Sequence, residues 1–361
     1  MSDIIAEFLV NGGRGSAAGE RAERITERLP EGSTVVSYRE GSRREATLKM
    51  ITSIRRNRPQ VVYAMDLAVA PIAAWAIGSR QSKLIVDTGD TPKFFLDLIG
   101  ASAAARASAI ALEKVGYGRS STIVVRGEYH ADQLHEAGYD HVTVIPDGVD
   151  LSMFRAHNVD QLRQQLGLGD VMTVGVQGNF TWYPQLGGGI GWDLVEAIAR
   201  RPELDIHAIF IGDGPGIAEL RRLADERGVG DRLHVAGRVP YSELPHYLSL
   251  CDVTLLTQTD DPSSWARTTG KLPTYLATGR HVIASRVGTA ADLLPEQHLV
   301  DYHGSWDSTY PDRLAERLCQ LSQDRHRTVR DGLALRELAF DFDYDDIAEQ
   351  CANVVREATV V

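Results

Sequence analysis

The chain has 361 residues, 43% of them hydrophobic and 24% charged, enough for two domains of about 150 residues or one large barrel. A net charge of −11 argues against nucleic acid or an anionic membrane as the main partner, and three cysteines without metal spacing argue against a disulfide framework or a zinc site. Met1 to Val10 carries Asp3 and Glu7 where a signal core would be apolar, and no apolar run reaches bilayer length, so a cytoplasmic protein without a transmembrane segment is expected.

β-Branched runs predict strands over Ile4–Val10, Thr34–Ser37, Gln60–Ala64, Lys83–Asp87, Thr122–Val125 and Val142–Ile145. Between them, helical periodicity covers Gly19–Leu29, Arg44–Arg56, Val69–Ile77 and Ala101–Val115. The second half repeats the pattern. Strands are expected at Val171–Val176, Ile206–Ile211, Arg232–Val235, Val253–Leu256 and His281–Ala284. Helices are expected at Trp192–Arg200, Ile217–Arg227, Ser242–Leu250, Leu272–Ala277 and Asp312–Ser322. Apolar strands alternating with helices imply buried parallel sheets, so the fold class is α/β, two Rossmann-like doubly wound domains in tandem. The turn cluster Pro146-Asp147-Gly148-Val149-Asp150 marks the boundary. The expected division is residues 1–152, 153–340 and a final segment, 341–361, whose helix buries Ile347, Cys351, Val354 and Val355 on one face.

Ligands of open α/β sheets bind at the carboxyl ends of strands, so the loops there matter most. Gly12-Gly13-Arg14-Gly15 follows the first strand and is either an acceptor or phosphate loop or a tight turn without a ligand. Asp87 and Asp90 end the fourth strand. They are candidate catalytic carboxylates that orient an acceptor hydroxyl or ammonium or accept a proton; capping or turn roles are open beside this. Ile211-Gly212-Asp213-Gly214-Pro215-Gly216 makes the same strand-to-helix transition, with Asp213 opposing an anion.

The most informative stretch runs from Ser263 to Tyr275. Arg267, Thr268, Thr269, Gly270 and Lys271, the one lysine of the second half, precede a short helix that contains Thr274. Arginine clamps a phosphate bidentately and lysine adds a point charge. Leu272 stands where a P-loop needs Ser or Thr for Mg²⁺, which argues against a kinase or ATPase.

Several ordered segments carry a family resemblance: Val144 to Asp150 with Phe154, Ile209 to Pro215, Leu233 to Pro240, Leu244 to Leu248 with Cys251 to Val253, and Lys271 to Gly279 with Val282 to Ser285. In these the chain resembles the GT-B glycosyltransferases, in particular the retaining family 4. The resemblance implies two domains facing a cleft, with the acceptor in the N-terminal domain and the donor in the C-terminal one. It also implies a last helix that crosses back to the N-terminal domain. It implies no metal and no cofactor, the leaving diphosphate being stabilised by positive side chains, here Arg267 and Lys271. Asn179, Gly237, Arg238 and Val239 are further donor-binding candidates. The sequence departs from the family at Ala266 and Thr274, which replace a glutamate pair, and at Asp87-Thr88-Gly89-Asp90, where a histidine is usual.

The leading expectation is transfer of a sugar from a nucleotide-diphosphate sugar to a hydroxylated small-molecule or lipid-linked acceptor. The glutamate replacement leaves open a donor such as phosphoribosyl pyrophosphate or a cyclitol nucleotide, and a non-catalytic binding protein of the same fold.

Overall fold

A computed structural model describes residues 4–89, 91, 96, 100–267 and 269–360. Two compact units emerge: Met1–Gly148 with Trp265–Thr269 and Phe342–Val361, and Val149–Ser264 with Gly270–Asp341.

In the first unit the strands are β1 (Ala6–Val10), β2 (Thr34–Tyr38), β3 (Val61–Met65), β4 (Lys83–Asp87), β5 (Thr122–Val125) and β6 (Val142–Val144). They pair in parallel in the order β2-β1-β3-β4-β5-β6. The helices are α1 (Ala17–Thr26), α2 (Arg43–Asn57), α3 (Ala70–Ile77), α4 (Ala103–Arg119) and α5 (Glu128–Glu136). The returning helix, Tyr344–Val360, also belongs here.

Alternate strand residues feed two cores, as the period of two requires. Leu9, Val62, Ala64, Val86 and Val125 pack with Met50, Ile54, Ala73 and Leu134 from the helices on one face. Phe8, Val10, Tyr63, Ile85 and Val124 pack with Ala22 and Ile25 of α1 and with Ile347, Cys351, Val354 and Val355 of the returning helix on the other. Both faces are covered, so β1 and β3 are buried throughout; β3 reads as a continuous apolar run, whereas β1 buries Glu7, which accepts from Asn57 Nδ2 at 3.1 Å. Gly148 is required at the exit of this unit because a Cβ there would sit 2.6 Å from the Tyr344 ring.

The second unit contains β7 (Met172–Gln177), β8 (Trp182–Tyr183), β9 (Gly188–Gly189), β10 (Ile206–Ile211), β11 (Leu233–Gly237), β12 (Val253–Leu256), β13 (His281–Ser285) and β14 (Leu299–Val300). Its parallel sheet has the order β11-β10-β7-β12-β13-β14. Helices α6 (Asp160–Gln165), α7 (Trp192–Arg200), α8 (Ile217–Glu226), α9 (Leu244–Ser249), α10 (Pro262–Ala266, whose last two residues group with the first unit) and α11 (Lys271–Ala277) are followed by α12 (Gly288–Leu293), α13 (Tyr310–Ser322) and α14 (Arg325–Leu335). The hairpin β8–β9 has no period-two signal. It is set by packing: a Cβ at Gly188 would sit 2.3 Å from Trp306, which is paired with Trp192 at 4.5 Å between ring centroids.

Candidate functional site

At the carboxyl edge of the second sheet, β7 ends at Gln177, whose N–H donates to the buried Tyr275 hydroxyl at 2.9 Å. This bond pins α11 to the end of β7. Lys271, the first residue of α11, therefore lies beside Gly178, so closely that a Cβ there would be 2.9 Å from its Nζ. Gly178 has φ of 152°, and its missing side chain leaves the ammonium at the sheet edge. The Gln177 Oε1 is buried without a hydrogen-bond partner among the described residues, an acceptor left open at the same strand end.

The loop after β10 locks onto this strand end through backbone. A Cβ at Gly212 would lie 1.9 Å from the Gly178 carbonyl oxygen, and one at Gly214 would lie 2.2 Å from that of Phe180. The Phe180 N–H donates to Asp213 at 2.9 Å and the Gly212 N–H to Gly237 at 2.8 Å. Asn179 and Arg238 are exposed beside this interlock; Gly237 and Val239 are half-buried. Asp213 is exposed and accepts from the Gly214 N–H of its own loop at 2.7 Å.

Thr274 is buried, and its hydroxyl donates to the Lys271 carbonyl at 2.8 Å. The side chain in the family's glutamate place is thus folded back on its own helix. Ala266, in the companion place, is also buried. Arg267 is exposed and Thr269 half-buried; both group with the first unit, and Thr268 lies outside the described residues. Gly270 is the N-cap of α11. Beneath the edge, Asp193 is buried and accepts from the Thr257 hydroxyl; burial pushes its carboxyl up.

At the carboxyl edge of the first sheet, Asp87 ends β4 and is buried. It accepts from Arg21 Nε at 3.0 Å, from the Tyr63 hydroxyl at 2.7 Å and from Arg126. Burial drives its carboxyl up, but Arg126, Arg21 and the Tyr63 bond outweigh that and hold it below the usual range. Arg126 also donates to Asp147 at 2.7 Å, and Arg21 to the Pro146 carbonyl at 2.7 Å and to Cys351 at 3.2 Å. Asp87 therefore ties β3, β4, β5, α1, the exit turn and the returning helix together. Asp90 lies outside the described residues.

The glycine loop after β1 is filled by the protein's own groups. Arg14 N–H donates to Glu40 at 2.8 Å, and a Cβ at Gly13 would meet the same carboxylate oxygen at 2.8 Å. The Ser16 hydroxyl caps α1, accepting from the Gly19 N–H at 3.1 Å. Gly12 and Gly13 are half-buried, Arg14 and Gly15 exposed.

Sequence reasoning missed Asp66. It directly follows β3 and has φ of 104°, a region that a non-glycine residue enters only at a cost. Its carboxylate accepts from Asn11 Nδ2 at 2.9 Å and from the Ala68 N–H at 2.9 Å. Arg39 donates to Asn11 Oδ1 at 3.0 Å, so the amide is held from behind. Asp66 lines a cavity of about 100 Å³ together with Met65, Asp87, Thr88, Gly89 and Arg126. The available signal was an acid ending an apolar strand, the pattern that singled out Asp87, with which Met65 is in register.

Among the described residues no group of three or more His, Cys, Asp or Glu side chains could hold a metal ion, and no helix is long and apolar enough to cross a membrane.

The family model described as "Glycosyl transferases group 1" matches residues 173–324. The GDP-mannose-dependent alpha-(1-6)-phosphatidylinositol monomannoside mannosyltransferase of Mycobacterium tuberculosis (strain ATCC 25618 / H37Rv) is 29% identical over 221 residues, 59% of this chain and 55% of that protein. The 2-deoxystreptamine glucosyltransferase of Streptomyces kanamyceticus is 27% identical over 169 residues, 42% of this chain and 38% of that protein. The chain thus spans about half the length or less of the curated relatives it matches. Anabaena HepE in complex with UDP and glucose superposes with a TM-score of 0.77 at 19% identity, covering 98% of this chain and 99% of that one. The chain has the GT-B fold and resembles the group 1 glycosyltransferases. Sucrose-phosphate synthase from Thermosynechococcus elongatus shares this GT-B fold with a TM-score of 0.76 at 18% identity, covering 98% of both chains. The matched segment of this GT-B chain includes the β7 end, Gly212, Gly237 and Lys271, the residues that its second sheet gathers at one edge.

Proposed function

We propose that the chain is a glycosyltransferase that moves a sugar, with retention of anomeric configuration, from a nucleotide-diphosphate sugar to a hydroxylated acceptor. The observation that carries this reading is the ammonium of Lys271 beside Gly178 at the end of β7, inside the matched segment. When the bond from the anomeric carbon to the diphosphate breaks, the electron pair stays on the phosphate oxygen. A positive group already in place stabilises that charge without reorganisation. In this reading residues 153–340 hold the donor, using Lys271, Gly270 and the loops at Asn179 and Gly237-Arg238-Val239, with Arg267, Thr268 and Thr269 adding to the phosphate contacts. Residues 1–152 take the acceptor at the first sheet's carboxyl edge, where Asp87 lies, with Asp87 and Asp90 as the catalytic carboxylates of this reading, and residues 341–361 complete that domain. The reaction needs no metal. The protein works in the cytoplasm, as its free cysteines Cys251, Cys319 and Cys351 favour.

One observation favours a second donor class. The Thr274 hydroxyl spends its proton on its own helix and carries no charge, so it does not grip a ribose as a carboxylate would. A donor with little nucleoside, such as phosphoribosyl pyrophosphate, fits that arrangement. The test is thermal stabilisation by UDP-, GDP- and ADP-sugars, pyrophosphate and phosphoribosyl pyrophosphate, followed by product analysis. A nucleotide-sugar shift with sugar transfer is the expected result. A response to phosphoribosyl pyrophosphate alone selects the second class, and no response to any of them rejects both.

A further inference from the structure

The carboxylate of Asp66, at the cavity wall, has no direct ion pair among the described residues. Asp87 and Asp147 are matched by Arg21 and Arg126, so that cluster carries no net charge. Asp66 adds one negative charge; among the described residues its direct donors, the Asn11 amide and the Ala68 N–H, are both neutral, and the nearest cation on that hydrogen-bond chain, Arg39, reaches it only through Asn11. A partly buried carboxylate with only neutral donors gains most from a cation, and an ammonium makes the charge-assisted bond that a hydroxyl does not. The same charge repels phosphate, and the neighbouring Arg14 N–H is already taken by Glu40. The carboxylate is also preorganised: Arg39 holds Asn11, Asn11 holds Asp66, and the backbone is kept at φ of 104°. Strain retained at a cavity wall is found where a side chain must be aimed.

We infer that Asp66 is the recognition residue of the acceptor site and that it takes an ammonium group carried on a hydroxylated ring, as in an amino sugar or aminocyclitol. The Thr88 and Gly89 backbone and the Arg126 edge line the space the ring's hydroxyls would enter. The inference rests on the transferase reading for the word acceptor, but binding is measured without turnover.

The test is calorimetric titration of the full chain with glucosamine and with glucose, which differ at one ring position by an ammonium against a hydroxyl. Glucosamine is expected to bind about tenfold more tightly than glucose. The preference is expected to vanish in Asp66→Asn, which tolerates the positive φ, and in Asp66→Gly, which relieves it. Thermal melting checks that both variants fold. Equal affinity for the two sugars, no detectable glucosamine binding, or a preference unchanged in the folded variants overturns the inference. Nucleotide-sugar binding is measured on the same samples. A chain that takes a nucleotide sugar yet fails the comparison loses the ammonium site alone. One that shows the preference and takes no nucleotide loses the transferase reading alone.

Discussion

At the carboxyl edge of the first sheet the loops are closed by charged side chains, whereas at that of the second they are closed by backbone against backbone. Asp87 gathers Arg21, Arg126 and Tyr63, and Glu40 fills the glycine loop. In the second unit Gly178, Gly212 and Gly214 let backbone touch backbone directly, and Lys271 lies beside Gly178 at the same edge. Side-chain closure gives an edge whose charges are mostly spent, with Asp66 left over. Backbone closure uses main-chain N–H and carbonyl groups instead.

The sharpest way to break the comparison is Asp87→Asn. It leaves two guanidinium groups buried against a neutral amide, and removing one member of a buried ion pair costs about 3–5 kcal/mol. Urea unfolding is expected to show that loss, and an unchanged midpoint would mean the network does not hold the first edge. Gly212→Ala probes the second edge. Its Cβ would come 1.9 Å from a carbonyl oxygen that cannot move freely, so about 3 kcal/mol of stability should go. A stable variant would show that the backbone interlock is not rigid. Lys271→Ala is expected to weaken donor affinity by about 1.5–3 kcal/mol, the range for a charge-assisted contact, with little change in melting temperature. Unaltered donor titration would remove that cation from the donor contacts.

The smallest expected effect per step is in pH. Burial foremost, then His298 and Arg317, lower the His281 pKa to about 3. The folded state keeps this ring neutral, while the unfolded chain protonates near 6.5. The stability it contributes is therefore full above that value. It is lost as pH falls toward about 3, at about 1.4 kcal/mol per pH unit. Replacing His281 with Phe should flatten that limb of the stability profile, and an identical acid limb would refute the assignment.

The sheets were legible in the sequence because their central strands are short apolar runs buried on both faces, so local composition and tertiary burial agree. The run at Ile206–Ile211 is an example, expected and observed over the same residues. Loops whose form depends on distant partners were less legible. Gln177 and Tyr275 meet across 98 positions, and Arg14 meets Glu40 across 26. No window around either residue carries that information. Asp66 was visible as a letter, but its left-handed backbone is imposed by Asn11 and the β4 end and has no local signature such as glycine. Thr274 was legible as a departure from the family, whereas the direction of its hydroxyl was not.

The returning helix shares with α1 the cover of one face of the first sheet, through Ile347, Cys351, Val354 and Val355. On a ribosome the earliest strands to emerge would therefore keep part of that face wet until residues 342–361 had been synthesised. A chain halted between the two moments carries Phe8, Val10, Tyr63 and Ile85 with part of their cover missing, a surface that chaperones would bind.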